Sequence, residues 1–144
     1  MKKGIYAGLF FVVTIFIWHN SMQDAVHSGG LSRMIAAVLQ ARLLELGVYE
    51  PLGLVNGVLR KCAHVFEFSL LGIALYGLCS NVQTVRQHRV IWVIGIGVVI
   101  AAIDESLQLF SPGRGAQLRD VGIDGCGVLI GYLMGRIYSY VMRG

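Results

Sequence analysis

The chain has 144 residues, of which 56% are hydrophobic and only 14% are charged. Soluble domains carry about a quarter of their residues as charged side chains, so this composition, with a mean hydropathy of +0.68, predicts an integral membrane protein. The twelve Lys and Arg residues outnumber the eight Asp and Glu residues. These basic residues occur singly or in pairs and form no basic stripe that could follow the phosphate backbone of a nucleic acid. This pattern excludes a nucleic-acid-binding protein.

Four stretches are apolar and long enough to cross a bilayer, which takes about 20 residues. In chain order they cover about residues 4–22, 61–79, 90–110 and 119–141. No small-residue cleavage site follows the first stretch, so we expect a retained anchor rather than a cleaved signal. The sequence therefore predicts an all-α, polytopic membrane protein that forms a single domain over residues 1–144, without internal repeats.

The only long connection, residues 23–60, contains a further helical pattern. Ser32 is a candidate N-cap for a helix that runs to about Leu46. Its apolar residues fall on one face, namely Leu31, Ile35, Val38, Leu39, Leu43 and Leu46. Since about 15 residues are too few to span comfortably, we expect this helix to lie at the membrane interface or to re-enter the bilayer.

The three cysteines carry no metal or disulfide signal. Cys62, Cys79 and Cys126 form neither a CxxC motif nor a Cys/His spacing for zinc. All three lie in apolar stretches, so we expect small buried side chains.

The positive-inside count leaves the orientation open, because six Lys and Arg residues fall on each side of the predicted membrane. One side has Lys2, Lys3, Arg86, Arg89, Arg136 and Arg143, and the other has Arg33, Arg42, Arg60, Lys61, Arg114 and Arg119. All eight Asp and Glu residues lie on the second side, where four of its six basic residues are candidate ion-pair partners. We therefore expect a multi-pass cell-membrane protein with cytoplasmic N- and C-termini.

Ionisable residues lie at the outer ends of the later spans. A charge at the centre of a membrane helix costs about 2.5–3.5 kcal/mol on insertion scales, so these side chains need partners. Residues three or four apart share a helix face. The predicted stripe on the second span contains Lys61, His64 and Glu67. On the third span it contains Gly97, Ala101, Glu105 and Gln108, with Asp104 four residues before Gln108. On the fourth span it contains Asp120, Asp124, Gly127, Gly131 and Gly135. Antiparallel threading of four spans brings these stripes to one level, where they can form a site.

Three chemistries fit these residue types. In an enzyme, His64 would be a general base oriented by Glu67, while Asp104, Glu105 and Asp120 would act as acid, metal ligands or ion-pair partners. The histidine and carboxylates could instead hold a divalent cation, whose identity the sequence leaves open. Third, guanidinium groups could grip a phosphate-bearing ligand. The candidate ligand-binding residues are Arg60, Lys61, Gln108, Arg114, Arg119 and Asp124.

Two other interpretations remain open. The polar cluster can be an ion-pair network that locks the helices together. A proton-coupled transporter would also use intramembrane acids, but it needs them spread across the membrane. Here the later spans carry none in their inner halves.

Two motifs resemble the VanZ-like family of bacterial membrane proteins. They are R-K-x-x-H-x-x-E from Arg60 to Glu67 and D-E-x-x-Q-x-x-x-P-G-R from Asp104 to Arg114, followed by Asp120, Gly127 and Gly131. The resemblance covers about residues 14–135 and includes Ser21. The chain has Asp124 where the family pattern has Asn.

The resemblance implies an envelope-related role, since the family's namesake lowers susceptibility to the glycopeptide antibiotic teicoplanin. Combined with the predicted site, it gives a membrane protein that binds or modifies a lipid-linked or cell-envelope ligand at its outer face. Whether it is an enzyme stays open. The alternative is a non-catalytic envelope-binding protein with a structural ion-pair cluster.

Overall fold

A computed structural model describes residues 2–22, 29–111 and 115–142. The described residues form five α-helices and no strand, so the predicted all-α class is confirmed. The helices are α1 (Lys2–Met22), α2 (Gly29–Glu45), α3 (Leu52–Ser80), α4 (Arg89–Gln108) and α5 (Leu118–Val141).

Three segments of the described chain are long and apolar enough to cross a membrane. They are Gly4–Met22, Leu52–Ser80 and Arg86–Gln108. Their outward faces expose large hydrophobic side chains, such as Phe11 and Phe66, as expected of helices that contact lipid rather than water. Helix α5 has 24 residues, but four charged side chains, Arg119, Asp120, Asp124 and Arg136, lower its hydropathy.

Helix α3 is longer than the apolar stretch that predicted it. It starts at Leu52, directly after Pro51, whose carbonyl accepts the first backbone hydrogen bonds of the helix. Proline suits a helix start because its missing N–H would find no partner there. The predicted span began at residue 61, so Lys61 lies well inside the helix instead of at its end.

Helix α2 departs from the prediction at its start and in the face it buries. Ser32 lies inside the helix, so its assignment as N-cap is wrong. Ala36 is fully buried where α2 packs on α3, whereas Ile35 and Val38 of the predicted apolar face are exposed. At the other end Gly47 has φ +79°, and the Val48 N–H donates to the Leu43 carbonyl at 2.9 Å, the hydrogen bond of a Schellman motif.

The core lies where α3 packs against α1, α4 and α5. Its largest fully buried hydrophobic side chains include Ile17, Phe68, Leu71, Val93 and Val128. Among the cysteines, Cys79 is buried as expected. Cys62 and Cys126 are exposed on the helical bundle, so the prediction of buried side chains is wrong for these two.

Glycines allow α3 and α5 to touch backbone to backbone. A Cβ on Gly127 would lie 2.7 Å from the Val65 carbonyl oxygen, and one on Gly131 would overlap the Ser69 carbonyl. Gly72 of α3 meets the Val128 carbonyl in the same way. Gly127, Gly131 and Gly135, spaced as GxxxGxxxG on the predicted stripe of α5, thus form a ridge that allows close helix packing.

We predict that Gly131→Ala lowers the apparent melting temperature in detergent, because the added methyl group must displace the α3 backbone. Overpacking of this kind costs about 1–3 kcal/mol. The matched control is Gly122→Ala on the same helix, where a Cβ meets nothing within 4 Å. There alanine should leave stability unchanged or raise it by up to about 1 kcal/mol through helix propensity. Equal melting temperatures for the two variants would contradict the close contact.

Candidate functional site

A polar pocket of about 260 Å³ lies at one end of the helical bundle. Helix α3 lines it with Gly57, Arg60, Lys61 and His64, and α4 with Glu105 and Gln108. The remaining lining comes from Gly115 and Gln117 and, on α5, Arg119, Asp120, Ile123 and Asp124. Among the predicted site residues that the structure describes, only Glu67 and Asp104 are not part of this lining.

The mouth of the pocket carries the basic side chains. Lys61 of α3 forms an ion pair and hydrogen bond with Asp120 of α5, and Arg119 Nε lies 3.9 Å from the same carboxylate. These side chains are partly exposed, so the Lys61–Asp120 pair contributes about 1 kcal/mol or less. Arg60 forms no ion pair with any residue that the structure describes. The mouth therefore offers cationic groups that are incompletely neutralised.

The floor of the pocket is formed by His64 and Asp124, which together with the buried Asp104 make up a His–Asp–Asp cluster. His64 Nδ1 lies 3.7 Å from Asp124 Oδ1 and 3.9 Å from Asp104 Oδ2. The two carboxylates are 1% and 0% exposed, respectively, and come from different helices. Residues separated by 60 positions in the chain thus meet at one point, because the glycine contact holds α5 against α3.

A second set of contacts fixes the carboxylates of α4. Gln108 Nε2 donates to Glu105 Oε1 at 3.0 Å and lies 3.4 Å from Asp104 Oδ2. The backbone N–H of Gln117 donates to Glu105 Oε2 at 2.8 Å. Both oxygens of Glu105 therefore accept hydrogen bonds, and the connection before α5 is tied to α4. Because α4 buries Gly97, Ala101, Asp104, Glu105 and Gln108 together, the predicted stripe is confirmed.

The structure directs Glu67 toward α1. Asn20 Nδ2 donates to Glu67 Oε1 at 3.1 Å. The side chains brought close to His64 Nδ1 are those of Asp104 and Asp124. The role of Glu67 in orienting His64 stays a prediction, and Arg114 lies outside the described residues.

Three contacts of the site were missed by sequence reasoning. Asn20, the Gln117 N–H and the pair Ser21–Ser111 were not assigned roles, although Ser21 belongs to the resemblance. Ser111 is 3% exposed and its hydroxyl donates to the Ser21 carbonyl at 2.8 Å. The sequence offered only a weak signal for these contacts, namely polar side chains near the ends of apolar helices. Asn20 lies 47 residues from its partner Glu67, and Ser21 lies 90 residues from its partner Ser111.

The fold and site define the class of the protein as a helical, multi-pass membrane protein with a polar pocket at one end of its bundle. Within this class, a family model described as VanZ/LLP1 matches residues 4–139. The chain belongs to the VanZ/LLP1 family, as the two motifs indicated. No curated protein and no solved structure gives a significant match to the chain.

We predict that Gln108→Leu destabilises the protein, because it removes the buried amide between Glu105 and Asp104 while keeping a similar volume. A buried polar group left without its partner costs about 1–3 kcal/mol. Thermal unfolding in detergent measures the effect, and Gln87→Leu at an exposed turn is the control for the loss of an amide. Equal stability of the two variants would mean that Gln108 does not hold these carboxylates.

Proposed function

We propose that the pocket binds the anionic headgroup of a lipid-linked or cell-envelope ligand. The observation that carries this proposal is the pocket itself, with Arg60, Lys61 and Arg119 around a cavity of about 260 Å³. Pockets for drug-sized ligands measure about 300–1,000 Å³, so this one suits a phosphate or pyrophosphate rather than a whole lipid. Guanidinium groups bind such anions through paired hydrogen bonds.

Apolar side chains beside the pocket support a ligand that stays partly in the membrane. Phe110 is 84% exposed and Leu118 is 88% exposed. Phe110 is two residues after Gln108, and Leu118 directly precedes Arg119. Both Gln108 and Arg119 line the pocket. A lipid headgroup can enter the cavity while its hydrocarbon chain remains against these apolar side chains.

The proposed topology has four spans. Helix α5 packs along α3 and α4, and its 24 residues measure about 36 Å at 1.5 Å per residue, enough to cross the hydrocarbon core. Asp124 faces the interior of the bundle, which avoids exposing its charge to lipid. Helix α2, with 17 residues, lies at the interface or re-enters, and the pocket faces the outside of the cell, with both termini cytoplasmic.

Binding or chemistry can occur at this pocket. In an enzymatic version, His64 acts as general base toward the bound headgroup, because its Nδ1 faces two carboxylates that stabilise a proton taken up by the ring. A ligand drawn from the cell wall would connect the pocket to glycopeptide susceptibility.

A non-catalytic protein is the second candidate, and the Lys61–Asp120 pair between α3 and α5 favours it, since that contact also serves as a structural link.

The orientation is tested with single cysteines in a variant that lacks Cys62, Cys79 and Cys126. Tyr49→Cys, in the connection before α3 and 82% exposed, should react with a membrane-impermeant maleimide on intact cells. Gln87→Cys, exposed at the opposite end, should react only after the cells are permeabilised. The reverse pattern would place the pocket in the cytoplasm and overturn a surface-acting role.

The ligand is tested by lipid mass spectrometry on protein purified in mild detergent. We expect a phosphate- or pyrophosphate-bearing lipid to be enriched over the total polar lipids of the same membranes. The double variant Arg60→Gln/Arg119→Gln should lose most of this enrichment, because it removes two of the cations at the pocket mouth.

The matched control is Arg136→Gln, which removes a guanidinium at the other end of the bundle and should retain the lipid. Equal enrichment in the double variant and wild type would overturn the assignment of the pocket. Recovery of a chemically altered lipid only from cells with intact His64 would favour the enzyme over the binder.

A further inference from the structure

We propose that the His–Asp–Asp cluster is a binding site for a divalent transition-metal ion. The proposed ligands are His64 Nδ1 and one carboxylate oxygen each from Asp104 and Asp124. Ligand atoms of these three residues all lie within 4.8 Å of one another. The inference goes beyond the proposed headgroup binding and does not depend on it, because the cluster forms the floor of the pocket and the basic groups form its mouth.

The spacing suits a shared ion better than direct hydrogen bonds. The two distances from His64 Nδ1, 3.7 and 3.9 Å, exceed the 2.7–3.2 Å of a typical N–H···O hydrogen bond. Ligands at 2.0–2.2 Å from a tetrahedral zinc ion are about 3.3–3.6 Å apart. Both distances from His64 therefore need to shorten by only a few tenths of an ångström to match such a site.

Asp124 supplies an independent observation. Its residue is 1% exposed, and its Oδ2 atom has no hydrogen-bond partner. No Lys or Arg of the described residues lies within ion-pair distance of it. A buried carboxylate that carries its charge is paired or coordinates a metal ion, and a cation held between Asp124, Asp104 and His64 would neutralise it.

The donor set indicates the class of ion. An imidazole nitrogen favours Zn²⁺ and related ions, whereas carboxylates alone would favour Mg²⁺ or Ca²⁺. One imidazole with two carboxylates therefore points to Zn²⁺ or Mn²⁺. Gln108, at 3.4 Å from Asp104 Oδ2, lies where an outer-shell donor would orient a ligating carboxylate.

The proposed ion would have an open position toward the pocket. Catalytic zinc sites typically use three protein ligands and leave the fourth to water or substrate. His64 and Asp124 both line the cavity, so an anion bound there would lie next to the ion as well as to the basic groups at the mouth.

The test is metal binding by purified, chelator-treated and delipidated protein in detergent, with Zn²⁺, Mn²⁺ and Mg²⁺ alone as probes. Equilibrium dialysis followed by elemental analysis should give one Zn²⁺ or Mn²⁺ per chain and weaker binding of Mg²⁺. Loss of an outer-shell partner costs about 10–100-fold in metal affinity. Asp124→Asn and His64→Gln, which each remove a ligand, should weaken binding by more than about 100-fold.

The matched control is Glu45→Gln, which removes an exposed carboxylate on α2 that does not line the pocket and should bind the ion within about threefold of wild type, since neither ligands nor their outer shell change. Zn²⁺ should also raise the melting temperature of wild type and Glu45→Gln but not of Asp124→Asn. Unchanged binding in Asp124→Asn, or none in folded wild type, would overturn the site. Because lipid is absent here, failure of headgroup binding would be seen separately in the lipid analysis.

Discussion

The contact between the backbones of α3 and α5 is the constraint on which the site depends. Glycines at 72, 127 and 131 remove the side chains that would otherwise hold the two helices apart. Without a hydrophobic driving force between helices in lipid, such close packing supplies much of their attraction. It also fixes the rotation of α5, so that Asp120 faces Lys61 and Asp124 faces His64.

This rotation separates two electrostatic environments within one pocket. Near the mouth, Lys61 and Arg119 accompany Asp120, and their side chains remain partly exposed. One helical turn deeper on α5, Asp124 is almost fully buried with Asp104 beside His64. Charged groups near the mouth retain water, whereas the deeper carboxylates need partners within the protein. The pocket therefore combines a surface suited to anions with a floor suited to a cation.

Much of this arrangement could be predicted because helical spacing is a local property. The stripe from Gly97 to Gln108 and the ridge of α5 follow from residues three and four apart, and both are buried together in the structure. The family motifs likewise contain half of the pocket lining, namely Arg60, Lys61, His64, Glu105, Gln108 and Asp120. The motifs could not predict which carboxylates lie next to His64. That choice depends on how far each helix is rotated and how deep each side chain lies in the bundle.

The errors and omissions arise where tertiary context decides. The Asn20–Glu67 and Ser111–Ser21 contacts join α1 to distant parts of the chain, so no local pattern marks them. Ser32 has the chemistry of an N-cap, but α2 includes it in its first turns. Hydropathy also started the predicted second span only at residue 61, because Arg60 and Lys61 interrupt the apolar run, whereas the helix begins at Leu52 and continues through them.

The length of α3 connects the depth of the site to its proposed ligand. From Lys61 to the helix end at Ser80 the axis measures about 28 Å, close to the roughly 30 Å of a bilayer's hydrocarbon core. If Ser80 lies at one boundary of the core, Lys61 lies at the other, and the turns before it extend into the headgroup region. Basic side chains at that level meet lipid phosphates without the cost of deep burial. His64 then lies one helical turn below Lys61, where water is scarcer and where it can reach a headgroup that enters the pocket. Both the proposed anion site and the proposed metal site therefore lie at the boundary of the membrane and not at its centre.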